Sequence, residues 1–235
     1  MDTQTRLALK KKDKFAQATA SSMSWVSGHR SSVMRYVIAA VVIVALCTAA
    51  LIYFNVQSSA ADAALGTALD IYIAPLAQAG APPETGVYAT AGERSKAANQ
   101  QFVALAKQYG WLPQAGRAHY FAGVTDQDLG QTASAETELK AAAGSWDRNL
   151  ANLARLALAG LYHQTSRDPQ AIDLYNQLIA KPSETVTANV AQLDLADLYD
   201  AAGKHDQARA LWAKVKDADK DGAAGSIAAQ KLGAK

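Results

Sequence analysis

Residues 158–178 read LAGLYHQTSRDPQAIDLYNQL, and this stretch decides the fold. Apolar residues recur at three- and four-residue spacings on both sides of a polar break at Asp168-Pro169. That spacing predicts two amphipathic helices joined by a short turn. The residues that mark this helical pair are Leu158, Ala159, Tyr162, Ala171, Tyr175 and Leu178.

The same pattern occurs twice more, 36 residues earlier and 37 residues later. The earlier copy is marked by Ala122, Gly123, Gly130, Ala135, Leu139 and Ala142, and the later one by Leu195, Ala196, Tyr199, Gly203, Ala208, Trp212 and Val215. Small residues such as Gly123 and Ala135 let paired helices approach closely, and larger ones such as Leu139 fill the space beside them. The first copy departs from the pattern at Asp126, where the other copies carry Tyr162 and Tyr199.

A degenerate fourth unit precedes these copies. Ala98, Phe102 and Leu105 fit the pattern of a second helix. The first helix of this unit is expected over Asp62 to Gly80, displaced by a Pro-containing insertion from Ala81 to Gly92. At the other end, Ser226 to Leu232 predict a short helix that covers the last apolar face.

The repeat resembles the tetratricopeptide repeat, whose first helix carries a Leu-Gly/Ala pair followed by Tyr and whose second carries Ala four residues before an aromatic residue. The resemblance implies an all-α fold in which a tetratricopeptide-like α-solenoid occupies residues 93–235. Such an array presents the first helix of each pair on a concave groove that binds extended peptides or partner helices. By repeat position the groove residues are Arg117, Tyr120, Asp128, His163, Gln164, Asp197 and Asp200.

Residues 36–54, YVIAAVVIVALCTAALIYF, predict a single transmembrane helix. Nineteen residues rise about 28 Å, close to the thickness of the hydrocarbon core of a bilayer. One alternative is a buried core helix, although the run has no polar face. Another is a signal peptide cleaved after Ala60, although the run is longer than signal peptides carry. Residues 55–92 then form an extension helix and the Pro-rich insertion.

The charges around the span predict its orientation. Residues 1–35 carry seven Lys or Arg residues, whereas the first basic residue after the span is Arg94. Lys and Arg stay on the cytoplasmic side, so residues 1–35 are expected to form a largely disordered cytoplasmic tail, with the repeat domain exported. The basic cluster from Lys10 to Lys14 could contact anionic lipids or nucleic acid, but a topology signal explains it more simply. The chain beyond the tail has no basic excess, which argues against nucleic acid as a partner.

The composition excludes several classes of protein. Of 235 residues, 52 are Ala and one is Cys, so no disulfide framework and no Cys-based zinc site is possible. We find no catalytic, phosphate-binding or dinucleotide-binding motif, so we expect neither an enzyme nor a cofactor. Asp217, Asp219 and Asp221 match the first half of a calcium loop, but Ala228 stands where a bidentate Glu should close it. An alternative is that Asp at the start of the last helix complements the helix dipole.

The order of a basic tail, one span and an exported repeat domain resembles the ancillary subunits of the bacterial SecYEG translocon, the YfgM-like family. That resemblance implies a non-enzymatic, single-pass protein of the bacterial inner membrane, with its repeat domain in the periplasm. It also implies protein partners: translocon subunits, a membrane-anchored periplasmic chaperone or exported clients. Two alternatives remain, a scaffold for cell-envelope assembly or cell division, and a calcium-responsive signalling module.

Overall fold

A computed structural model describes residues 30–77 and 86–233, and within these residues the chain is helical. The helices are α1 (Arg30–Tyr72), α2 (Ala91–Gln108), α3 (Pro113–Asp128), α4 (Thr132–Ala143), α5 (Arg148–Gln164), α6 (Asp168–Ala180), α7 (Ala188–Ala201), α8 (His205–Ala218) and α9 (Ala223–Gly233). The all-α prediction is confirmed for these residues. The basic cluster from Lys10 to Lys14 and the expected disorder of the tail lie outside the described residues, except for its last six positions, which begin α1.

Helix α1 carries the apolar run. The stretch Met34–Tyr72 contains one window long and apolar enough to cross a membrane, and none of that window is buried. A core helix would bury most of its apolar surface, so the core-helix alternative does not fit. The helix continues without a break from the apolar run into the extension segment.

The described residues form two compact units, one ending at Val56 and the other beginning at Gln57. In the second unit α1 stops at Tyr72, earlier than the expected end at Gly80, which lies outside the described residues. Backbone hydrogen bonds then join the two sides of the insertion: Ala77 N donates to Tyr88 O at 2.8 Å, and Tyr88 N donates to Pro75 O at 3.2 Å. The insertion is therefore closed at its base.

From α2 onward, each helix packs against the next one in the chain. In addition, α3 contacts α5, and α7 contacts α9. Three clusters of buried apolar residues run along this unit: the first joins the end of α1 to α2 and α3, the second is centred on α5 and α6, and the third lies among α7, α8 and α9. Sequential packing of this kind makes most contacts local in the sequence.

The residues predicted to lie at close helix contacts are buried. Ala135, Ala171 and Ala208 have no exposed surface, and Trp212 is only 1% exposed. A Cβ atom added to Gly123 would lie 2.6 Å from Cγ of Leu139, closer than real Cβ contacts occur. The absence of a side chain at Gly123 therefore lets α3 and α4 approach, as the sequence predicted.

The turns inside the three helical pairs share one geometry. Gly130, Ser166 and Gly203 have φ angles of 69°, 59° and 73°. The next residue in each turn donates its N–H to a carbonyl five residues back: Gln131 to Asp126 at 2.8 Å, Arg167 to Tyr162 at 2.7 Å, and Lys204 to Tyr199 at 2.8 Å. This is the hydrogen-bond pattern of a Schellman motif. The steps of 36 and 37 residues read from the sequence recur in the backbone.

Two further predictions have clear outcomes. The exception at Asp126 is accommodated in the core, where Asn99 Nδ2 donates to Asp126 Oδ1 at 2.8 Å. The short C-terminal helix forms as α9, three residues longer at its start than predicted, and buries Ala228 against Trp212 and Val215.

Candidate partner-binding surface

The seven predicted groove residues lie on three helices of the second unit. Four of them are exposed: Arg117, Asp128, Gln164 and Asp197. Tyr120 is half-buried against the second apolar cluster, the one centred on α5 and α6, which we call the central cluster. Several of them have partners outside the predicted set. Asp197 accepts a hydrogen bond from Lys231 of α9 at 2.9 Å, and Asp128 accepts one from Ser95 of α2 at 3.1 Å.

Two of the seven lie at the turns inside the helical pairs. His163 Nδ1 lies 2.8 Å from Asp168 Oδ1, and His205 Nδ1 lies 2.7 Å from Asp200 Oδ1. Each contact joins the end of a first helix to the start of the second helix of the same pair. His163 and Asp200 therefore contribute to the turn, in addition to any role at a groove.

The structure adds a row of apolar residues that the predicted set leaves out. The repeat step places Leu153 and Leu156 of α5 at the positions of Arg117 and Tyr120. Leu153, Leu156 and Ala157 are partly buried and pack against the central cluster, and they keep part of their surface open to solvent. We use the name first-helix face for six residues of the first helices α3, α5 and α7 that keep part of their surface exposed: Tyr120, Leu153, Leu156, Ala157, Asp194 and Asp197. The apolar residues of the first-helix face could have been predicted from the sequence by the repeat step alone. The signal is that α5 contains more Leu residues than a single core-facing stripe needs.

The α7 side of the first-helix face is acidic. Burial, with a smaller contribution from the charge of Asp197, raises the pKa of Asp194 to about 6. Burial, followed by the charges of Asp194 and Asp197, also raises the pKa of Tyr175 on α6. Each of these groups disfavours a further negative charge, so a cation brought to this side would relieve the repulsion between Asp194 and Asp197.

A separate ionic cluster stabilises the first two pairs. Glu136 of α4 accepts from Lys140 at 2.7 Å, from Arg167 at 2.8 Å and from the Tyr162 hydroxyl at 3.2 Å. The ammonium group of Lys140 and then the guanidinium group of Arg167 lower the pKa of Glu136 to about 2. Because its partners come from three segments, Glu136 connects α4 to α5 and to the turn after it.

No group of three or more His, Cys, Asp or Glu side chains within 30–77 and 86–233 is arranged to hold a metal ion. Within the predicted calcium loop, Gly225 N donates to Asp219 Oδ2 at 3.1 Å. Asp219 thus caps α9, as the alternative interpretation of the loop expects. Asp217 and Asp221 are exposed on either side of it.

Open depressions border α5 and α6. One of about 500 Å³ lies between the start of α5 and the loop before α7, lined by Arg148, Asn149, Pro182, Ser183 and Glu184. Another of about 330 Å³ is lined by Asn152, Arg155, Gln177, Ala180 and Lys181. Polar side chains contribute to the lining of both, and the second is lined by Asn152 and Arg155, the chain neighbours of Leu153 and Leu156.

No protein-family model, curated protein or solved structure matches this chain. The geometry of the helical pairs and the chemistry of the first-helix face are therefore the features of this chain that bear on its function.

Proposed function

We propose that this protein is a non-enzymatic, membrane-anchored interaction module whose helical pairs form a tetratricopeptide-like array. In this proposal α1 crosses the bacterial inner membrane, and the array binds protein partners on the periplasmic side beside the Sec translocon. Translocon subunits, a membrane-anchored chaperone or emerging clients are the partners. The first-helix face, apolar along α5 and acidic along α7, is the observation that carries the proposal.

The repeated turn geometry supports the array. Three turns with a left-handed residue at the same position and the same hydrogen bond recur at the repeat step. Helices that pack in order, with a further contact from α3 to α5, are typical of repeat proteins in which each unit contacts its neighbours. In such an array the first helices line one continuous surface.

The chemistry of the first-helix face selects a kind of partner. Partly exposed Leu153 and Leu156 offer apolar area without a deep pocket, which suits an extended segment or a helix better than a small molecule. Asp194 and Asp197 lie on α7, the first helix of the next pair. A partner segment that combines apolar residues with Lys or Arg therefore matches both parts of the surface.

The membrane anchor makes weak contacts sufficient. A groove held near the exit of a translocon meets each emerging segment at a high effective concentration. No strong pocket is needed under that condition, in agreement with a first-helix face that is open and only partly apolar.

Site-specific photo-crosslinking in bacterial cells tests the proposal. A photoreactive amino acid is placed at Leu156, and the control carries it at Asn176, an exposed position on second helix α6. We expect adducts with translocon subunits or exported chains at position 156 and few at position 176. Adducts only with division or outer-membrane assembly factors would favour the scaffold alternative. Equal labelling at both positions would contradict a binding surface on the first helices.

The acidic side has its own test. Asp194→Asn combined with Asp197→Asn should reduce the yield of adducts from position 156, because the partner loses its ionic contacts. Asp173→Asn on α6, also exposed, is the control and should leave the yield unchanged.

A further inference from the structure

The turns between successive helical pairs differ in a consistent way along the chain. The first two turns, before α3 and before α5, carry Trp111 and Trp146, which are 55% and 82% exposed. The next two turns, before α7 and before α9, carry exposed charged residues instead, Lys181 and Glu184 in one and Lys220 and Asp221 in the other. We call the two tryptophan-bearing turns the tryptophan edge.

Exposed Trp at both turns is unusual for a surface in water. Trp is highly buried on average, and Trp212 in the same unit is only 1% exposed. Two large aromatic side chains are thus exposed at successive inter-pair turns, whereas Trp212, the other tryptophan among the described residues, is packed in the core. Exposed apolar surface of this kind is typical of sites that contact a membrane or another protein.

The tryptophan edge lies beside the part of α1 that follows the apolar run. Gln114, three residues after Trp111, donates from Nε2 to Ser58 Oγ and to Asp62 Oδ1, both at 2.9 Å. Ser58 is four residues after Phe54, where the apolar run ends. Ser58 is the second residue of the second unit, which begins at Gln57, so the start of α3 packs on the segment where the chain enters this unit.

The second turn packs against the start of α3, the helix that follows the first turn. Ser145 Oγ lies 3.4 Å from where a Cβ atom on Gly116 would stand, and Leu150 of α5 lies even closer to that point. The start of α3 is therefore packed against the turn that carries Trp146. Both tryptophans belong to one end of the helical pairs.

Each tryptophan has a cation nearby in the sequence. Exposed Lys107 lies in the last turn of α2 before Trp111, and exposed Arg148 lies two residues after Trp146. Trp side chains concentrate at membrane interfaces, where the ring contacts acyl chains and the indole N–H stays among the headgroups. Lys and Arg beside them are attracted to anionic headgroups.

We propose that the tryptophan edge rests in the headgroup region of the same membrane that α1 crosses. Trp111 and Trp146 insert their rings at the interface, and Lys107 and Arg148 contact lipid phosphates. This inference rests on the proposed membrane anchor. It adds a second attachment, which holds the repeat unit against the bilayer and gives the first-helix face a defined orientation to emerging chains.

Fluorescence quenching by brominated lipids tests the inference in the full chain. The protein is reconstituted in phosphatidylcholine–phosphatidylglycerol vesicles whose acyl chains carry bromine. The background variant is Trp25→Phe, which removes the tryptophan outside the described residues. We expect a roughly twofold or greater loss of emission, since interfacial Trp111 and Trp146 are within reach of the bromine and buried Trp212 is not.

Two variants in this background provide the controls. Trp111→Phe with Trp146→Phe should abolish the quenching. Adding Lys220→Trp to that pair places a tryptophan in the last polar turn, where no quenching is expected. Quenching that persists without the two tryptophans, or that is equal at position 220, would overturn the proposed edge.

Flotation separates the two levels of the argument. If the vesicles float and the Trp25→Phe protein does not float with them, the membrane anchor itself is contradicted. Flotation together with unquenched tryptophans would contradict only the tryptophan edge, and would indicate that Trp111 and Trp146 face a protein or water.

Discussion

Ser166 is the one non-glycine residue with a positive φ angle among residues 30–77 and 86–233. It occupies the position that Gly130 and Gly203 take in the other two pairs, with a φ angle of 59°. A left-handed conformation costs an L-residue about 1–2 kcal/mol, and Gly avoids most of this cost. Ser166→Gly should therefore raise the free energy of unfolding by about 0.5–1 kcal/mol, measured by urea denaturation.

The control lies one pair further along the chain. Ala202, next to Gly203, has an ordinary φ angle of −82°. Ala202→Gly should lower the free energy of unfolding by about 0.5–1 kcal/mol, because it adds flexibility to the unfolded chain and relieves no strain. A destabilised Ser166→Gly variant would show that the turn does not hold Ser166 in the left-handed region.

Asp194 makes stability depend on pH. Its pKa rises to about 6 in the folded chain, above the ordinary value of 3.8, so the folded state binds more protons than the unfolded state between these values. The contribution of Asp194 to the free energy of unfolding is therefore greatest below about pH 4 and is lost as pH rises through about 6. Since the side chain is partly exposed, we expect a loss of about 1 kcal/mol.

Asp194→Asn removes this dependence. The variant should be more stable than the parent protein by about 1 kcal/mol at pH 7.5 and nearly equal to it at pH 4, measured by urea denaturation at each pH. Asp70→Asn, at an exposed position of α1, is the control and should follow the parent protein. An Asp194→Asn variant that loses stability at neutral pH would mean that the carboxylate is needed in its charged form.

At the scale of elements, the contact between α3 and α4 depends on Gly123. Its added Cβ atom would meet both Cγ and Cδ2 of Leu139, at 2.6 and 2.9 Å. Gly123→Ala should therefore lower the free energy of unfolding by about 1–3 kcal/mol, because the two helices must separate or Leu139 must leave its rotamer. The measurement is chemical denaturation of the repeat unit within the full chain.

Gly160 provides a matched comparison inside α5. A Cβ atom there would meet nothing within 4 Å. Gly160→Ala should stabilise the protein by about 0.5–1 kcal/mol, since Ala has the higher helix propensity and no clash opposes it. Similar effects at both positions would show that propensity, and not helix packing, governs Gly123.

At the scale of the whole molecule, the charge asymmetry around α1 predicts an exported C-terminus. A reporter enzyme that is active only outside the cytoplasm should be active when fused after Lys235 and inactive when fused before Met1. Reversal of the basic bias, by neutralising the tail and adding Lys between positions 56 and 60, should lower the C-terminal activity. An active N-terminal fusion would overturn the orientation.

The sequence determined the helical pairs by itself. Gly130, Gly144 and Gly203 lie just after helix ends, Gly222 lies just before α9 begins, and Ala135, Ala171 and Ala208 are buried as their spacing indicated. These features are local, because the turn residues and the periodicity of a helix face both lie within a short stretch of chain. The apolar run in α1 could also be predicted from the sequence alone, because its length and its lack of charged residues are read directly from the chain.

The tertiary structure decided what the periodicity could not. Leu153 and Leu156 pack on the core and also border the first-helix face, a double role that depends on how neighbouring helices cover them. The raised pKa of Asp194 depends on burial beside Asp197, and the start of α3, next to Trp111, is joined to α1 by the hydrogen bonds from Gln114 to Ser58 and Asp62. Residues 52 and 56 positions apart in the chain meet there. Local sequence specifies which helices form, but the environment of a side chain depends on distant residues that only the packed chain brings together.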